Sequence, residues 1–353
     1  MKDVTVIIKP GNVGDHLCAL PLYLALAHKF GPLVLITQNG RSGNPGARDV
    51  FSTWSPFEEI FELATPVWKA TNQTILKLIR SRYHFTRLLH IPVENYSLPR
   101  ALGLHAFWCA TFRRRIIGFK PASISQKRGE LAENGQLRNE VTRLLEWGTT
   151  HLSVSSVDTR PILREWLAAI ERHHPPVSVP FSFVVIAAGT NDSIKQWPLD
   201  RYVKIAEWVQ NDLRMTPLWV GGPSDQVAVD KTRLKMPGIS LLGKTSLEDT
   251  LLLISKAQLL VCNDSMAGHM AALTDTPCIS IFSARTSPGL WWPQNSKGSV
   301  IQKRLPCEGC ELRHVADCQH DHSCIETITT EEVAKLVSMK LKRAENKQTV
   351  GRY

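Results

Sequence analysis

The chain has 353 residues, 43% hydrophobic and 21% charged, a globular composition that excludes a disordered or fibrous protein and is long enough for two α/β domains. Its 42 Lys and Arg against 32 Asp and Glu leave a net charge of +10, which favours an anionic partner: a phosphorylated ligand, nucleic acid or an anionic membrane surface. The N-terminal apolar run before Lys9 is too short for a signal peptide, and no later stretch is long enough to span a bilayer, so a cytoplasmic protein is expected.

The β-branched run Val4-Thr-Val-Ile-Ile8 predicts a buried strand. The loop Gly11-Asn-Val-Gly14-Asp15 follows, and then Leu17, Leu20, Leu24 and Ala27 recur at helical spacing until Gly31-Pro32. Pro21 should kink that helix or mark its true start. Leu33 to Thr37 predicts a second strand, completing the strand–loop–helix–strand opening of a doubly wound parallel sheet. Between 40 and 170 the pattern is weak. Leu76–Arg82 reads as helix, Thr86–Ile91 as a strand, Arg113-Arg114-Arg115 leads into Ile116-Ile-Gly-Phe119, and polar 122–140 reads as a loop.

The proline-rich segment 173–182 predicts a stiff linker, so the domains are expected at 1–172 and 183–328. Strands are predicted at Phe183–Ala188, Pro217–Gly221, Leu259–Cys262 and Cys278–Phe282, and helices at Leu199–Leu213 and Ser265–Leu273. Ser246–Asp249 forms a capping-box pattern, and so does Thr329–Glu332 ahead of a last amphipathic helix over 329–345.

Ligands of open α/β sheets bind beyond the carboxyl ends of strands, and four segments place chemistry there or nearby. In Gly11–Asp15 the aspartate stands at the loop's exit near the expected cleft, and from this motif alone it reads first as a helix cap. In Gly189-Thr190-Asn-Asp-Ser-Ile-Lys195-Gln-Trp197-Pro198 a lysine precedes a helix, where it can meet a diphosphate. Asn263-Asp264-Ser265-Met266-Ala-Gly-His269 opens a helix whose free N–H groups suit phosphate, with Asp264 able to accept from sugar hydroxyls. Cys307-x2-Cys310-x7-Cys318-x5-Cys324 contains one metal-knuckle spacing, compatible with a structural zinc or iron and equally with free thiols. No basic recognition helix follows it, which argues against a nucleic-acid partner.

Gly14-Asp15 followed by Leu20-Pro21, Gly189 leading to Lys195-x-Trp197-Pro198, and Asn263-Asp264-Ser265 followed by His269 together resemble family 9 of the glycosyltransferases, the lipopolysaccharide heptosyltransferases. Thr276-Pro277, the strand to Phe282 and a cysteine-bearing loop before the last helix extend the match. The resemblance implies a GT-B fold, two Rossmann-like domains with a cleft between them, the last helix crossing back to the first. It implies an inverting transfer of heptose from ADP-heptose to a lipopolysaccharide core or related glycan, with no cofactor required for catalysis. Asp15 would be the general base and Lys195 the counter-charge on the departing diphosphate, while Gly14, Thr190, Asp264, Ser265, Met266 and His269 would complete the donor site. Met266 departs from the family's usual glycine, which raises an inactive nucleotide-sugar-binding or scaffold member as one alternative, and the cysteine-bearing loop raises a protein acceptor as another. The basic residues Arg113, Arg114, Arg115 and Lys120 are expected to meet acceptor phosphates and hold the enzyme peripherally at the inner membrane.

Overall fold

A computed structural model describes residues 1–38, 45–91, 98–118, 135–174, 177–232 and 234–350, with side chains at all of these except 98–101 and 343–350. The chain divides into two units, Met1–Leu131 with Glu140–Ile162, and Ala132–Asn139 with Leu163–Tyr353. Residues 163–182, which include the segment read as a linker, fall in the second unit. Among the described residues no helix is long and apolar enough to cross a membrane.

The first unit contains β1 (Lys2–Ile8), α1 (Val13–Phe30), β2 (Leu33–Thr37), α2 (Ala47–Val50), β3 (Phe57–Glu62), α3 (Ala70–Arg82), β4 (Tyr83–His90), α4 (Leu98–Phe112), β5 (Ile117–Gly118) and α5 (Glu140–Leu152). Its strands form one parallel sheet in the order β3-β2-β1-β4-β5. Val4, Val6, Ile8, Val34, Ile36 and Leu88 pack in its core beneath Trp108 and Phe112 of α4. Pro21 neither starts nor ends α1, which continues on both sides of it from Val13 to Phe30. The missing N–H costs about 3 kcal/mol in a helix interior. Burial offsets it, because α1 is apolar on nearly every side and buries Leu17, Leu20, Leu22, Leu24 and Leu26. Gly148 of α5 lets that helix lie close against α1: a Cβ there would sit 2.6 Å from the Leu22 side chain.

The second unit holds α6 (Arg160–His173, from Leu163 onward), β6 (Phe183–Ala187), α7 (Leu199–Asn211), β7 (Thr216–Trp219), α8 (Pro223–Thr232), β8 (Ile239–Ser240), α9 (Leu247–Lys256), β9 (Leu259–Asn263), α10 (Met266–Thr274), β10 (Cys278–Phe282), β11 (Ser299–Gln302), α11 (Ser323–Glu326) and α12 (Thr330–Val350). Its sheet is parallel throughout, in the order β11-β10-β9-β6-β7-β8. Both capping boxes form. Ser246 Oγ accepts from the Asp249 N–H at 3.0 Å, and the Thr329 N–H donates to Glu332 at 2.9 Å while Thr329 Oγ1 accepts from the Glu332 N–H at 3.2 Å. Val333 and Val337 of α12 pack into the second core with Val184, Ile186, Val261 and Ile281. Trp166 of α6 is held in this unit by donating Nε1–H to the fully buried Glu248 at 3.1 Å.

In both sheets the winding direction reverses beside the first strand of the unit, between β1 and β4 and between β6 and β9. These are topological switch points, and the crevice beyond their carboxyl ends is where such sheets bind ligands. Near the first lies His16, fully buried between Tyr23 Oη at 3.0 Å and Thr37 Oγ1 at 3.1 Å. Burial, with Lys9 adding to it, lowers its pKa from 6.5 to about 3. Below pH 6.5 the unfolded chain binds a proton here that the fold excludes, so stability is lost as pH falls from 6.5 towards 3 and is independent of this group above 6.5. Melting curves from pH 7.5 to 4 should show that loss, and a smaller one for His16→Gln, which keeps the polar contacts without the titration. The same pH slope in both proteins would contradict the assignment.

Candidate functional site

The loops after β6 and β9 form the most elaborate polar constellation of the second unit. Asn263, the last residue of β9, is fully buried and acts as a hub. Its Oδ1 accepts from the Trp197 N–H at 3.1 Å and the Tyr202 hydroxyl at 2.8 Å, and its Nδ2 donates to the Ala188 carbonyl at 2.6 Å. Trp197 is itself fully buried and donates Nε1–H to the Ile328 carbonyl at 3.0 Å. The chain between Ala188 and Trp197 is thereby pinned at both ends, and Lys195 lies at the end of its short 3-10 turn, Ser193–Lys195.

From that turn the Lys195 ammonium reaches Asp264 across the switch point, Nζ to Oδ2 at 2.9 Å, with the two side chains 18% and 8% exposed. Ser265 caps α10 next to this pair, and Met266 follows in its first turn, both half-buried. The unpaired N–H groups of that turn give the pair an anion-attracting neighbour. His269, one turn on, is half-buried and near enough for Asp264 to raise and Lys195 to lower its pKa; burial dominates and brings it to about 4, so the ring is neutral at physiological pH. Thr190 is half-buried in the same loop. Gly268 packs α10 closely onto its sheet, since a Cβ there would lie 2.8 Å from Pro293 and 3.1 Å from Ser280.

Two further groups belong to this region that the reading of the sequence missed. Asp225, just beyond β7, accepts from the Gly222 N–H at 2.8 Å, and burial raises its pKa. Its carboxylate fills the space a side chain at Gly189 or Gly221 would need, with Cβ distances of 2.4 and 2.6 Å. The doublet Gly221-Gly222 followed by an acid after a strand is the signal that would have found it. Arg285, after β10, pairs with Asp192 of the Lys195 loop at 3.1 Å, and its buried Nε finds no hydrogen-bond partner among the described residues.

In the first unit, Asp15 occupies the first turn of α1, beyond the carboxyl end of β1, with Gly14 beside it and both half-buried. Its Oδ2 accepts from the Asn12 N–H at 2.7 Å, so the helix-capping role is real. Gly11 has φ +144°, and a Cβ there would lie 2.8 Å from Asp15 Cβ and 2.9 Å from Oδ2. The carboxylate therefore rests over a bare backbone.

Arg113, Arg114 and Arg115 are exposed and are not brought to Asp15. Arg114 hydrogen-bonds His84 at 3.2 Å, and His84 bonds Asp3 at 2.7 Å, at the amino ends of β4 and β1. About 17 Å of strand separates that edge of the sheet from the carboxyl end of β1. Lys120 lies outside the described residues. The four clustered cysteines are free thiols, Cys310 exposed and Cys324 buried. Burial raises the pKa of Cys324, and Cys307, Cys318 and Cys310 add to it, which places the four near one another. Among the described residues no group of three or more His, Cys, Asp or Glu is arranged to hold a metal ion, so the expected zinc or iron rests on spacing alone.

Two parallel sheets wound in Rossmann order define a GT-B fold. The family model for glycosyltransferase family 9 (heptosyltransferase) matches residues 132–317, and the chain belongs to that family. Lipooligosaccharide heptosyltransferase 2 of Haemophilus influenzae is 30% identical over 114 residues, 31% of this chain and 32% of that protein. The matched segment thus spans about a third of that curated relative. The solved structure of E. coli ADP-heptose lps heptosyltransferase II superposes with a TM-score of 0.64 at 18% identity, covering 98% of this chain and 100% of the other. That of E. coli heptosyltransferase WaaC with ADP gives 0.63 at 16%, covering 96% and 99%. At these identities the likeness is one of fold.

Lys195→Met would leave Asp264 buried without its cation. Because solvent reaches part of the pair, the loss should be about 2–3 kcal/mol, below that for a fully enclosed pair. Pairing it with Asp264→Asn should recover part of that. Urea unfolding measures both; a single variant as stable as the parent would show that the pair is not held in solution.

Proposed function

We propose that the protein is an inverting glycosyltransferase that moves heptose from ADP-heptose to a lipopolysaccharide core or related glycan. The observation that carries this reading is the Lys195–Asp264 pair set beside the N-terminus of α10 at the second unit's switch point. Family membership supports the reaction class. The relative named for lipooligosaccharide and the solved relative holding ADP support the choice of acceptor class and nucleotide.

Under this reading the donor diphosphate lies against the first turn of α10, whose N–H groups and positive end favour it. Lys195 adds a point charge, and Asp264 keeps that ammonium aimed before the donor arrives and then accepts from hydroxyls of the bound sugar. Asp225, beyond the second strand of the Rossmann order, holds the ribose hydroxyls. The acceptor hydroxyl attacks the anomeric carbon while Asp15 takes its proton, and the bond from that carbon to the diphosphate breaks. ADP leaves with the bonding electrons, its growing charge met by Lys195 and the helix amides. One displacement inverts the anomeric centre. No covalent sugar–enzyme intermediate is needed, so a single carboxylate serves. Asp15's bond to Asn12 fits this role, because it fixes the rotamer of the base. The acceptor is met on the cytoplasmic side of the inner membrane.

Asp15→Ala should keep ADP affinity within about twofold and lower the transfer rate by roughly a hundredfold or more, the ordinary worth of a general base. Calorimetry and a donor-turnover assay read the two quantities separately. Transfer at the parent rate would remove Asp15 from the mechanism, and absence of any turnover in the parent protein with ADP-heptose would favour a binding role for this chain.

A further inference from the structure

The turn that carries Lys195 is only three residues long, Ser193–Lys195, and a single 3-10 turn has little stability of its own. What fixes it comes from far downstream. The N–H of Ile194 donates to the Arg313 carbonyl at 3.3 Å, and the Val315 N–H donates to Ser193 Oγ at 3.2 Å. The Ile194 carbonyl, in the peptide that leads into Lys195, accepts from His322 Nε2 at 2.8 Å. A carbonyl can only accept, so the ring carries its proton on Nε2.

His322 is well suited to hold a position. It is 5% exposed. It caps α11, and its own carbonyl accepts from the Ile325 and Glu326 N–H groups at 2.9 and 3.0 Å. Its backbone is left-handed, φ 54°, a conformation few residues other than glycine and asparagine adopt readily. The neighbouring histidines of the loop, His314 and His320, are exposed. The cysteine-bearing loop is thus a strut under the Lys195 turn, and His322 is the side chain in it that reaches the turn.

We infer that His322 is a positioning residue: by holding the Ile194 carbonyl it sets where the Lys195 ammonium stands, and so how tightly the site grips a nucleotide diphosphate. This rests on the donor-site reading above. A group that must meet a diphosphate within about half an ångström gains from a rigid support behind it.

The test is a double-mutant cycle on ADP affinity, measured by calorimetry. His322→Asn tolerates the left-handed backbone but is too short to reach Ile194. His322→Gln places an amide N–H where Nε2 was. His320→Asn controls for disturbing the loop. The Asn variant at 322 should weaken ADP by roughly tenfold, the worth of one well-placed hydrogen bond, with Gln recovering most of it and the 320 control unchanged. In a Lys195→Ala background the same His322→Asn change should have no further effect, an outcome that general loosening of the fold would not produce. The inference is overturned if His322→Asn binds ADP like the parent, or if its penalty persists undiminished without Lys195. Should His322→Asn fail to fold, His322→Gly, which accepts the left-handed backbone and has no side chain to reach Ile194, carries the test: weakened ADP binding that Lys195→Ala abolishes supports the role, and parent-like affinity ends it. If Lys195→Ala alone leaves ADP affinity unchanged, the donor-site reading fails first and this inference falls with it.

Discussion

The ion pair between Lys195 and Asp264 is the interaction on which the rest of the proposed site depends. Its two members come from loops after β6 and β9, strands that lie side by side where the sheet changes winding direction. A lysine held against a carboxylate with little solvent around it is expensive to assemble unless the surrounding structure fixes both partners. The second unit does so with unusual thoroughness. Asn263 ties the end of β9 to Ala188 and Trp197, Trp197 is tied in turn to Ile328, and Asp192 on the same loop is pinned by Arg285. Charges are balanced within the site, with Lys195 against Asp264 and Arg285 against Asp192, and a bound diphosphate would draw on the first of these cations.

Much of the second unit was readable from residue pattern alone, for a physical reason. Parallel strands buried on both faces are written as short apolar runs, and Phe183–Ala187, Leu259–Asn263 and Cys278–Phe282 each bury every residue. Helix starts at 246 and 329 carry their own hydrogen-bonding partners in sequence, so they can be read locally. Lys195 and Asp264 were legible because strand ends were legible.

The parts that were not legible depend on partners remote in the chain. Pro21 looks like a helix breaker until the burial of α1 on nearly all sides is known. Residues 163–172 look like a continuation of the first domain, whereas Trp166 finds its partner at Glu248, 82 positions later. The arginine run 113–115 reads as an anion site, and its surroundings emerge only in space, where Arg114 bonds His84 and His84 in turn bonds Asp3 at the amino ends of the strands. Asp225 is marked locally only by the Gly221-Gly222 doublet before it and owes its place to the bare backbone of Gly189 as well, while His322 has no local signature, being defined by a carbonyl 128 residues away.

The most direct test of the central claim is a crystal structure of the protein grown with ADP. The account predicts the diphosphate at the first turn of α10, with Lys195 Nζ roughly 3 Å from one of its oxygens. Nucleotide bound elsewhere, or a diphosphate here with Lys195 turned away and still closed on Asp264, would contradict it.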